Sequence, residues 1–445
     1  MTRTSSSTLA EPTVDDGLAA AATHIIDRLL AGFEGSVAVR LWSGVTHYFG
    51  PNPPAFTLVF HNAAVLRELV LKRSPIPLAD AYFHGRLDVE GDLYAALRLK
   101  SHLQHIVLTG RERAGLFVDA VRLLFVPTKH DSPAGDVRGT ERFRHDHSQA
   151  SDRAAISHHY DVSNAFYQLF LDQRMVYSCA YFHAPDETLE QAQENKLEHI
   201  CRKLRLKPGE RLLDIGCGWG ALVTWAAKYH GVQAHGITLS ERQLEIARER
   251  IAAEGLEDRV KVELRDYRAL EGVGVYDKVS SVGMFEHVGL ANLQVYNETV
   301  HRVLKPGGLF LNHGISHEEE GWRRDSVDSA FINRYVFPDG ELDMVSNVQR
   351  NMERAHFEIF DVENLRPHYA LTLRHWVQRI EQNHEVALEH VSEATYRVWR
   401  LYMAASAVEF ESGGTAIYQI LAQRRPDARP YGSPVPLTRE DLYKS

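Results

Sequence analysis

The residues best suited to chemistry form a glycine-rich loop, Asp214-Ile215-Gly216-Cys217-Gly218-Trp219-Gly220, between a strand pattern and a helix pattern. Glycines let a backbone turn sharply against a ligand, and a helix start offers unpaired N–H groups. Dinucleotide enzymes bind pyrophosphate on a similar loop with GxGxxG spacing. Here the spacing is GxGxG, and the preceding acid suits the ammonium group of S-adenosylmethionine (SAM). We predict SAM binding by Asp214, Gly216, Gly218 and Gly220; a nicotinamide cofactor and a ligand-free turn are the alternatives.

The next two strand ends carry side chains suited to the adenosine part of SAM. The second predicted strand ends at Thr238-Leu239 and lacks the acid that often binds ribose hydroxyls. Thr238 and Gln243 are therefore predicted to hydrogen-bond the ribose, with Leu239 beside them. After the third strand, Asp266 is predicted to pair with the adenine amino group and Tyr267 to cover a ring face. Each of these residues, taken alone, is equally compatible with an ordinary loop.

A second set of polar residues follows later strands. Glu286 and His313 come at the predicted ends of the fourth and fifth strands, where ligands bind in open α/β sheets, so we expect them to converge beside the cofactor. Either residue alone would more often be a helix cap or a satisfied buried polar group. His159, Cys179 and His313 are of metal-binding types, but no ligand spacing supports a metal site, and none is predicted.

The apolar pattern from residue 204 onward alternates between strand and helix. Strands are predicted at Arg211–Ile215, Gln233–Thr238, Val260–Arg265, Tyr276–Val282 and Gly308–His313, and helices at Ala221–Tyr229 and Glu241–Ala253. Edge strands are predicted at Phe357–Val362 and Ala416–Ala422, and 372–412 as mainly helical. This alternation predicts an α/β fold with a mostly parallel sheet and helices on both faces. Together with the glycine-rich loop, it indicates a Rossmann-like class I SAM methyltransferase domain.

The chain is long enough for two or three domains, at a prior of roughly 150 residues per domain. We predict a disordered tail at 1–16, a small α/β domain at 17–126, a polar linker at 127–157, the catalytic domain at 158–425 and a C-terminal tail at 426–445 without a predicted role. Within the first domain the pattern predicts helices at Leu18–Phe33, Asn62–Lys72 and Asp92–Leu108, and strands at Val37–Leu41 and Phe56–Phe60.

The composition argues against several classes of protein. The net charge of −9 does not favour a nucleic-acid partner, and three cysteines among 445 residues do not make a disulfide framework. The apolar runs are shorter than the 18 residues of a membrane span. We therefore expect a cytoplasmic protein that contacts membrane only at its surface.

Eight motifs, in order over about 220 residues, resemble the cyclopropane-fatty-acyl-phospholipid synthases and their mycolic-acid relatives. They are HYDVSNAFY (159–167), YSCAYF (177–182), LLDIGCGWG (212–220), GITLS (236–240), MFEHVG (284–289), NHGI (312–315), RYVFPDGELD (334–343) and RPHYALTLRHW (366–376). GCGWG alone is moderately specific, whereas YSCAYF, FEHVG and HYALTLRHW together are strongly specific.

This resemblance implies a reaction at a cis double bond of a lipid acyl chain. The alkene takes the SAM methyl group, a carbocation forms, and loss of a proton from the new methyl closes a cyclopropane. A bound bicarbonate is the implied base, in a site that matches Cys179, Glu286, His313, Ile315 and Tyr369 here. The YSCAYF motif adds Tyr177 and Ser178 to the predicted SAM-binding residues.

The segment Pro77–Leu93 resembles, more weakly, the N-terminal domain of the longer bacterial synthases. That similarity implies lipid docking and self-association, so we expect unsaturated membrane phospholipid as substrate, on the inner face of the membrane, and a homodimer. A passive structural domain is the alternative. For the whole chain, an enzyme that makes methylene- or methyl-branched acyl chains from the same cation and a non-catalytic lipid-binding protein remain open.

Overall fold

The computed structural model describes residues 14–72, 76–125, 163–318 and 340–443. The predictions on 1–13, on the linker 127–157 and on motif residues 159–162 and 334–339 lie outside these ranges. The described residues belong to two compact units, one within Met1–Val137 together with Ser392–Arg397, and one within Arg138–Val391 together with Val398–Ser445.

The first unit is a small α/β structure, as predicted. Its strands are β1 (Val37–Arg40), β2 (Thr46–Phe49), β3 (Phe56–Phe60) and β4 (Leu87–Gly91), and its helices are α1 (Val14–Leu29), α2 (Ala63–Lys72), α3 (Ile76–Phe83), α4 (Leu93–His105) and α5 (Gly110–Arg122). The sheet order is β2-β1-β3-β4, with β1 parallel to β3. The apolar pattern did not predict β2 and β4, because these short strands are largely polar and only partly buried. It did not predict α3, because most side chains of this short helix are apolar and the sequence therefore shows no alternation between an apolar and a polar face.

The second unit carries the cofactor loop. Its strands are β5 (Arg211–Ile215), β6 (Gln233–Thr238), β7 (Val260–Leu264), β8 (Tyr276–Val282), β9 (Leu304–His317), β10 (Phe357–Asn364) and β11 (Thr415–Arg424). Its helices are α6 (Asn164–Gln168), α7 (Leu189–Leu204), α8 (Ala221–His230), α9 (Glu241–Ala253), α10 (Leu293–Val303), α11 (Val345–Arg354), α12 (Arg366–Gln382), α13 (His384–Leu388), α14 (Glu393–Ser412) and α15 (Glu440–Tyr443). The start of α14, up to Arg397, belongs to the first unit.

These seven strands form one sheet in the order β10-β11-β9-β8-β5-β6-β7. The strands from β9 to β7 run parallel to their neighbours, and helices flank them, so the predicted Rossmann-like fold is confirmed. One prediction was wrong, because β11 is not an edge strand. It pairs antiparallel with both β9 and β10. Alternating burial reports which faces of a strand are covered, and it carries no information on which strands lie on either side.

The C-terminal segment, for which the sequence predicted no role, packs against the second unit. Leu442 of α15 is buried, Asp441 pairs with Arg205 at 3.0 Å, and the Tyr431 hydroxyl donates to Glu358 at 3.1 Å. These contacts join the end of the chain to α7 and β10.

Candidate active site

The glycine-rich loop turns directly from β5 into α8. Gly216 and Gly218 have φ values of +80° and +55°, which favour glycine over residues with a Cβ atom. A Cβ atom on Gly216 would also lie 3.0 Å from Cγ of Met284, so this glycine lets the loop pack against the segment after β8. The sequence pattern therefore has a local conformational reason, and the loop backbone remains open toward a ligand.

A cavity lies at the carboxyl ends of β5, β6, β7 and β8. Nine of the eleven residues predicted to bind SAM line it: Tyr177, Ser178, Gly216, Gly218, Thr238, Leu239, Gln243, Asp266 and Tyr267. The other two, Asp214 and Gly220, lie outside its lining. The structure thus brings most of the predicted set to one cavity, while the binding role of each residue remains a prediction.

Asp214 lies beneath the loop. It stands opposite Ser280 in the parallel β5–β8 pairing, and the Ser280 hydroxyl donates to its Oδ1 at 2.7 Å. Burial raises the pKa of this carboxyl to about 6, against the opposing influence of Ser280 and of the Lys196 ammonium. Gly220 sits at the start of α8 with a φ value of +81°, and a Cβ atom there would lie 3.1 Å from Cβ of Ala247, so both backbone conformation and helix packing favour glycine.

Two polar pairs are already formed in the cavity wall. The Thr238 hydroxyl donates to Oε1 of Gln243 at 2.7 Å, which orders both side chains at the end of β6. Arg268 donates to both carboxylate oxygens of Asp266, at 2.9 and 2.7 Å. Sequence reasoning missed Arg268, although its position two residues after Asp266 permits this contact.

Glu286 lies in a short 3₁₀ helix, Phe285–His287, just after β8. Its Oε1 accepts the Ile315 N–H at 2.7 Å, and its Oε2 is buried without a hydrogen-bond partner among the described residues. Burial raises the pKa of this carboxyl to about 7. Gly314 allows the arrangement, because a Cβ atom there would collide with the Phe285 ring at 2.0 Å. The predicted Glu286 and Ile315 are therefore in direct contact.

His313 lies within β9 and not at its end, which corrects the prediction. The strand continues to His317 because β11 pairs with it there, whereas its parallel pairing with β8 ends at Val282 and His313. His313 stands opposite Gln419 of β11, and Nε2 of Gln419 lies 3.1 Å from Nδ1 of His313. Because an amide N–H can only donate, Nδ1 is the acceptor and the neutral ring carries its proton on Nε2.

The imidazole of His313 is completely buried, and its Nε2 has no partner among the described residues. Burial holds the pKa of this ring well below its usual value, with a further contribution from the Lys196 ammonium. His313 is therefore a neutral hydrogen-bond donor at neutral pH. Sequence reasoning missed Gln419, whose only signal is a polar residue within the mainly apolar run 416–422.

Cys179 and Tyr369 are joined through α12. The Ala180 N–H donates to the Thr372 hydroxyl at 3.0 Å, and the Phe182 N–H donates to Nδ1 of His368 at 3.0 Å, so the YSCAYF segment is fixed to the first turns of this helix. Burial raises the pKa of the Cys179 thiol well above its usual range. The thiol stays protonated and is not a nucleophile at neutral pH.

Aromatic rings connect the cavity with this second group. Tyr177, in the cavity wall, stacks on Trp376 with ring centroids 5.2 Å apart. Trp376 makes an edge contact with Tyr369, at 6.0 Å, and Tyr369 packs on Phe410, at 4.7 Å. Trp376 was not singled out from the sequence, since buried tryptophans usually serve packing. The described residues contain no group of three His, Cys, Asp or Glu side chains placed to hold a metal ion.

Comparison with known proteins identifies the family. Residues 147–420, more than half of the chain, match the mycolic acid cyclopropane synthetase family. The chain belongs to this family. Residues 26–110 match a further domain whose function is described as unknown. The family predicted from the eight sequence motifs is therefore confirmed.

Relatives of this cyclopropane synthase family member are similar over different parts of the chain. A probable fatty acid methyltransferase of Pseudomonas putida is 43% identical over 410 residues, which cover 91% of this chain and 96% of that protein. The cyclopropane-fatty-acyl-phospholipid synthase of Escherichia coli strain K12 is 39% identical over 278 residues, 62% of this chain and 70% of that one.

A solved structure supports the cofactor assignment. The mycolic acid cyclopropane synthase CmaA1, in complex with SAH and CTAB, superposes with a TM-score of 0.58 at 32% identity, over 61% of this chain and 98% of that chain. SAH, S-adenosylhomocysteine, is what SAM becomes once its methyl group has been transferred. The chain is thus a SAM-dependent methyltransferase of the cyclopropane synthase family.

Proposed function

We propose that this protein transfers a methylene group from SAM across the cis double bond of unsaturated phospholipid acyl chains, and that bicarbonate is the base. The observation that carries the proposal is the pair of buried atoms without partners, Oε2 of Glu286 and Nε2 of His313, in a family that acts on fatty acyl chains. A buried polar atom without a partner is costly, and a small polar ligand that reached both atoms would satisfy them.

The cavity residues would hold SAM, which supplies an electrophilic methyl group when bound. Thr238 and Gln243 suit the ribose, Asp266 and Tyr267 suit the adenine, and the open backbone of Gly216 to Gly218 suits the amino-acid part. An alkene is a weak nucleophile, so the chain's main contribution to this step is to hold donor and acceptor in line.

The buried polar residues would hold a small oxyanion beside the acyl chain. Neutral His313 can donate from Nε2, and Glu286 can accept the O–H of bicarbonate through Oε2. Bicarbonate, when bound, supplies the oxygen that takes the proton from the new methyl group. The Ile315 N–H is already taken by Glu286, so a contact from Ile315 to the anion requires that hydrogen bond to be exchanged.

The aromatic group Tyr177, Trp376 and Tyr369 would protect the cationic stage of the reaction. Trp376 and Tyr369 are buried, and apolar rings beside the acyl chain would help to exclude water, which would otherwise capture a carbocation. Aromatic faces also stabilise positive charge.

The first unit offers a surface suited to a phospholipid bilayer. Exposed apolar side chains follow one face of α5 and the turn after it, with Phe117 56%, Val118 49% and Leu124 54% exposed. Arg111 and Arg113, in the first turn of the same helix, are also exposed. An apolar stripe together with exposed arginines is typical of helices that lie in the membrane interface beside anionic lipid. None of the described helices is long and apolar enough to cross a membrane.

A branched-chain product is the second candidate. The relative from P. putida, which covers nearly the whole chain, is called a fatty acid methyltransferase, a name that does not specify a ring. The presence of both Glu286 and His313 favours ring closure, because together they would hold the base that this step needs.

Product analysis tests the proposal. Cells that express the protein should accumulate lipids heavier by one CH₂ unit, with loss of the alkene signal and new upfield cyclopropane protons in the NMR spectrum. Exomethylene signals at the same mass would assign a methylene-branched product, and a new methyl signal with a gain of two further hydrogens would assign a methyl-branched one, whose cation has taken a hydride from a reductant. An unchanged lipid profile with purified protein that still binds SAH would refute the proposed substrate.

A further inference from the structure

One lysine of the cofactor cavity is buried without a counter-ion. Helix α7 presents four polar side chains on its buried face: Gln193, Lys196, His199 and Lys203. Lys203 is matched by two carboxylates, Glu363 at 2.5 Å and Asp361 at 3.4 Å. Lys196 is only 2% exposed, yet no carboxylate among the described residues forms an ion pair with it. The two lysines of one helix face thus differ in charge compensation.

The polar partner of Lys196 is a hydroxyl. Its Nζ donates to Oγ of Ser178 at 2.9 Å, and both residues line the cavity. Asp172 and Asp214 act on the Lys196 ammonium only through their charge, and both accept from other donors: Asp172 accepts the Val176 N–H at 2.7 Å, and Asp214 accepts the Ser280 hydroxyl. The ammonium therefore retains donors for a ligand at the cavity surface.

The other cations of the cavity wall are neutralised within the protein. Arg268 pairs with Asp266 at 2.7 Å, and Arg265 pairs with Glu263 at 3.1 Å. Among the described lining residues, this leaves Lys196 as the cation whose charge is not matched by an ion pair. Burial lowers its pKa to about 8, so the group is charged at neutral pH at a cost that an anionic ligand would offset.

We propose that Lys196, together with the Ser178 hydroxyl, binds the carboxylate of the amino-acid part of SAM. The assignment rests on the SAM dependence of the family and is independent of the lipid product. The carboxylate is the anionic group of the methyl donor, and an ammonium beside a hydroxyl is a suitable pair of donors for it. Lys196 is then a cofactor-binding residue that the glycine-rich loop motif does not contain.

A binding cycle on the purified full-length protein tests this assignment. Calorimetry would compare SAH with decarboxylated SAH, which keeps the amine and lacks only the carboxylate, for the wild type and for Lys196→Met. We expect Lys196→Met to weaken SAH binding roughly 10- to 100-fold, the range for a hydrogen bond to a charged group. The same substitution should change the affinity for decarboxylated SAH less than about twofold, because this ligand already lacks the carboxylate that Lys196 is proposed to bind.

Two further variants control for structure and net charge. Lys196→Arg should retain part of the SAH affinity, and Lys228→Met, which removes an exposed lysine of α8, should leave it unchanged. Equal weakening of both ligands in Lys196→Met would overturn the assignment, since it would indicate a distorted cavity. Unchanged SAH affinity with reduced turnover would overturn it as well, and would assign the ammonium to the anion beside Cys179 and His313 instead.

Discussion

Replacing Glu286 by Gln separates its proposed catalytic role from its structural one. Glutamine has the same shape and can still accept the Ile315 N–H through Oε1, but it cannot ionise, and its amide cannot accept a hydrogen bond at the Oε2 position. We expect kcat to fall by about 10²- to 10³-fold, as for loss of one positioned polar group in a buried site. SAH affinity should stay within about twofold, because Glu286 does not line the cofactor cavity.

The pH dependence of kcat is a second, independent test of the role proposed for Glu286. With a pKa of about 7, Glu286 is ionised in only about a tenth of the molecules at pH 6 and in about nine-tenths at pH 8. If the carboxylate is the active form, wild-type kcat rises with pH through about 7. The Gln variant, with nothing to ionise at this position, should lack that rise.

The stability of the folded wild type should fall as the pH rises, which is opposite to the expected change in kcat. The folded-state pKa of Glu286 is raised from 4.5 to about 7, so the group costs the wild type stability as the pH rises through this window, up to about 3 kcal/mol. The free energy of unfolding of Glu286→Gln minus that of the wild type should therefore be about 3 kcal/mol larger at pH 8 than at pH 4.

Turnover on unsaturated phospholipid vesicles at fixed bicarbonate, and urea unfolding followed by tryptophan fluorescence, would measure these effects. Glu298→Gln, at an exposed position of α10, is the matched control. The reasoning would be refuted if Glu286→Gln kept full activity, or if its activity retained a rise near pH 7.

Three other variants test different parts of the structure. Asp214→Ala should weaken SAH binding about tenfold, because the carboxylate supports the loop from below; unchanged affinity in calorimetry would contradict its assignment. Gln419→Leu should lower kcat about tenfold without changing SAH affinity, because His313 loses the donor that fixes its tautomer; an unaltered kcat would show that the ring is oriented by other contacts. Phe117→Glu combined with Leu124→Glu should weaken flotation with phosphatidylglycerol vesicles roughly 100-fold, as two apolar side chains no longer enter the interface. Tyr48→Glu, at an exposed aromatic of β2, is the control, and unchanged flotation with loss of a dimer in light scattering would assign this face to self-association.

Much of the cofactor site was predictable because it is local in sequence. A strand that leads into GxGxG and then a helix dictates its own geometry, since each glycine conformation depends on neighbouring residues. The residues after β6 and β7 follow the same rule, because parallel strands bring their carboxyl ends to one edge of the sheet. The family motifs then identified Glu286, His313 and Cys179 as a group.

Other features depended on contacts between distant segments. Gln419 stands beside His313 only because β11 enters the sheet between β9 and β10, which alternating burial does not encode. Lys196 differs from Lys203 through the carboxylates on β10 that reach one ammonium and not the other. The sequence by itself determined the fold class and the methyl donor, because these follow from local pattern and motif order. Only the tertiary structure decided which buried charges and polar atoms lack a partner, because that property belongs to a complete set of neighbours.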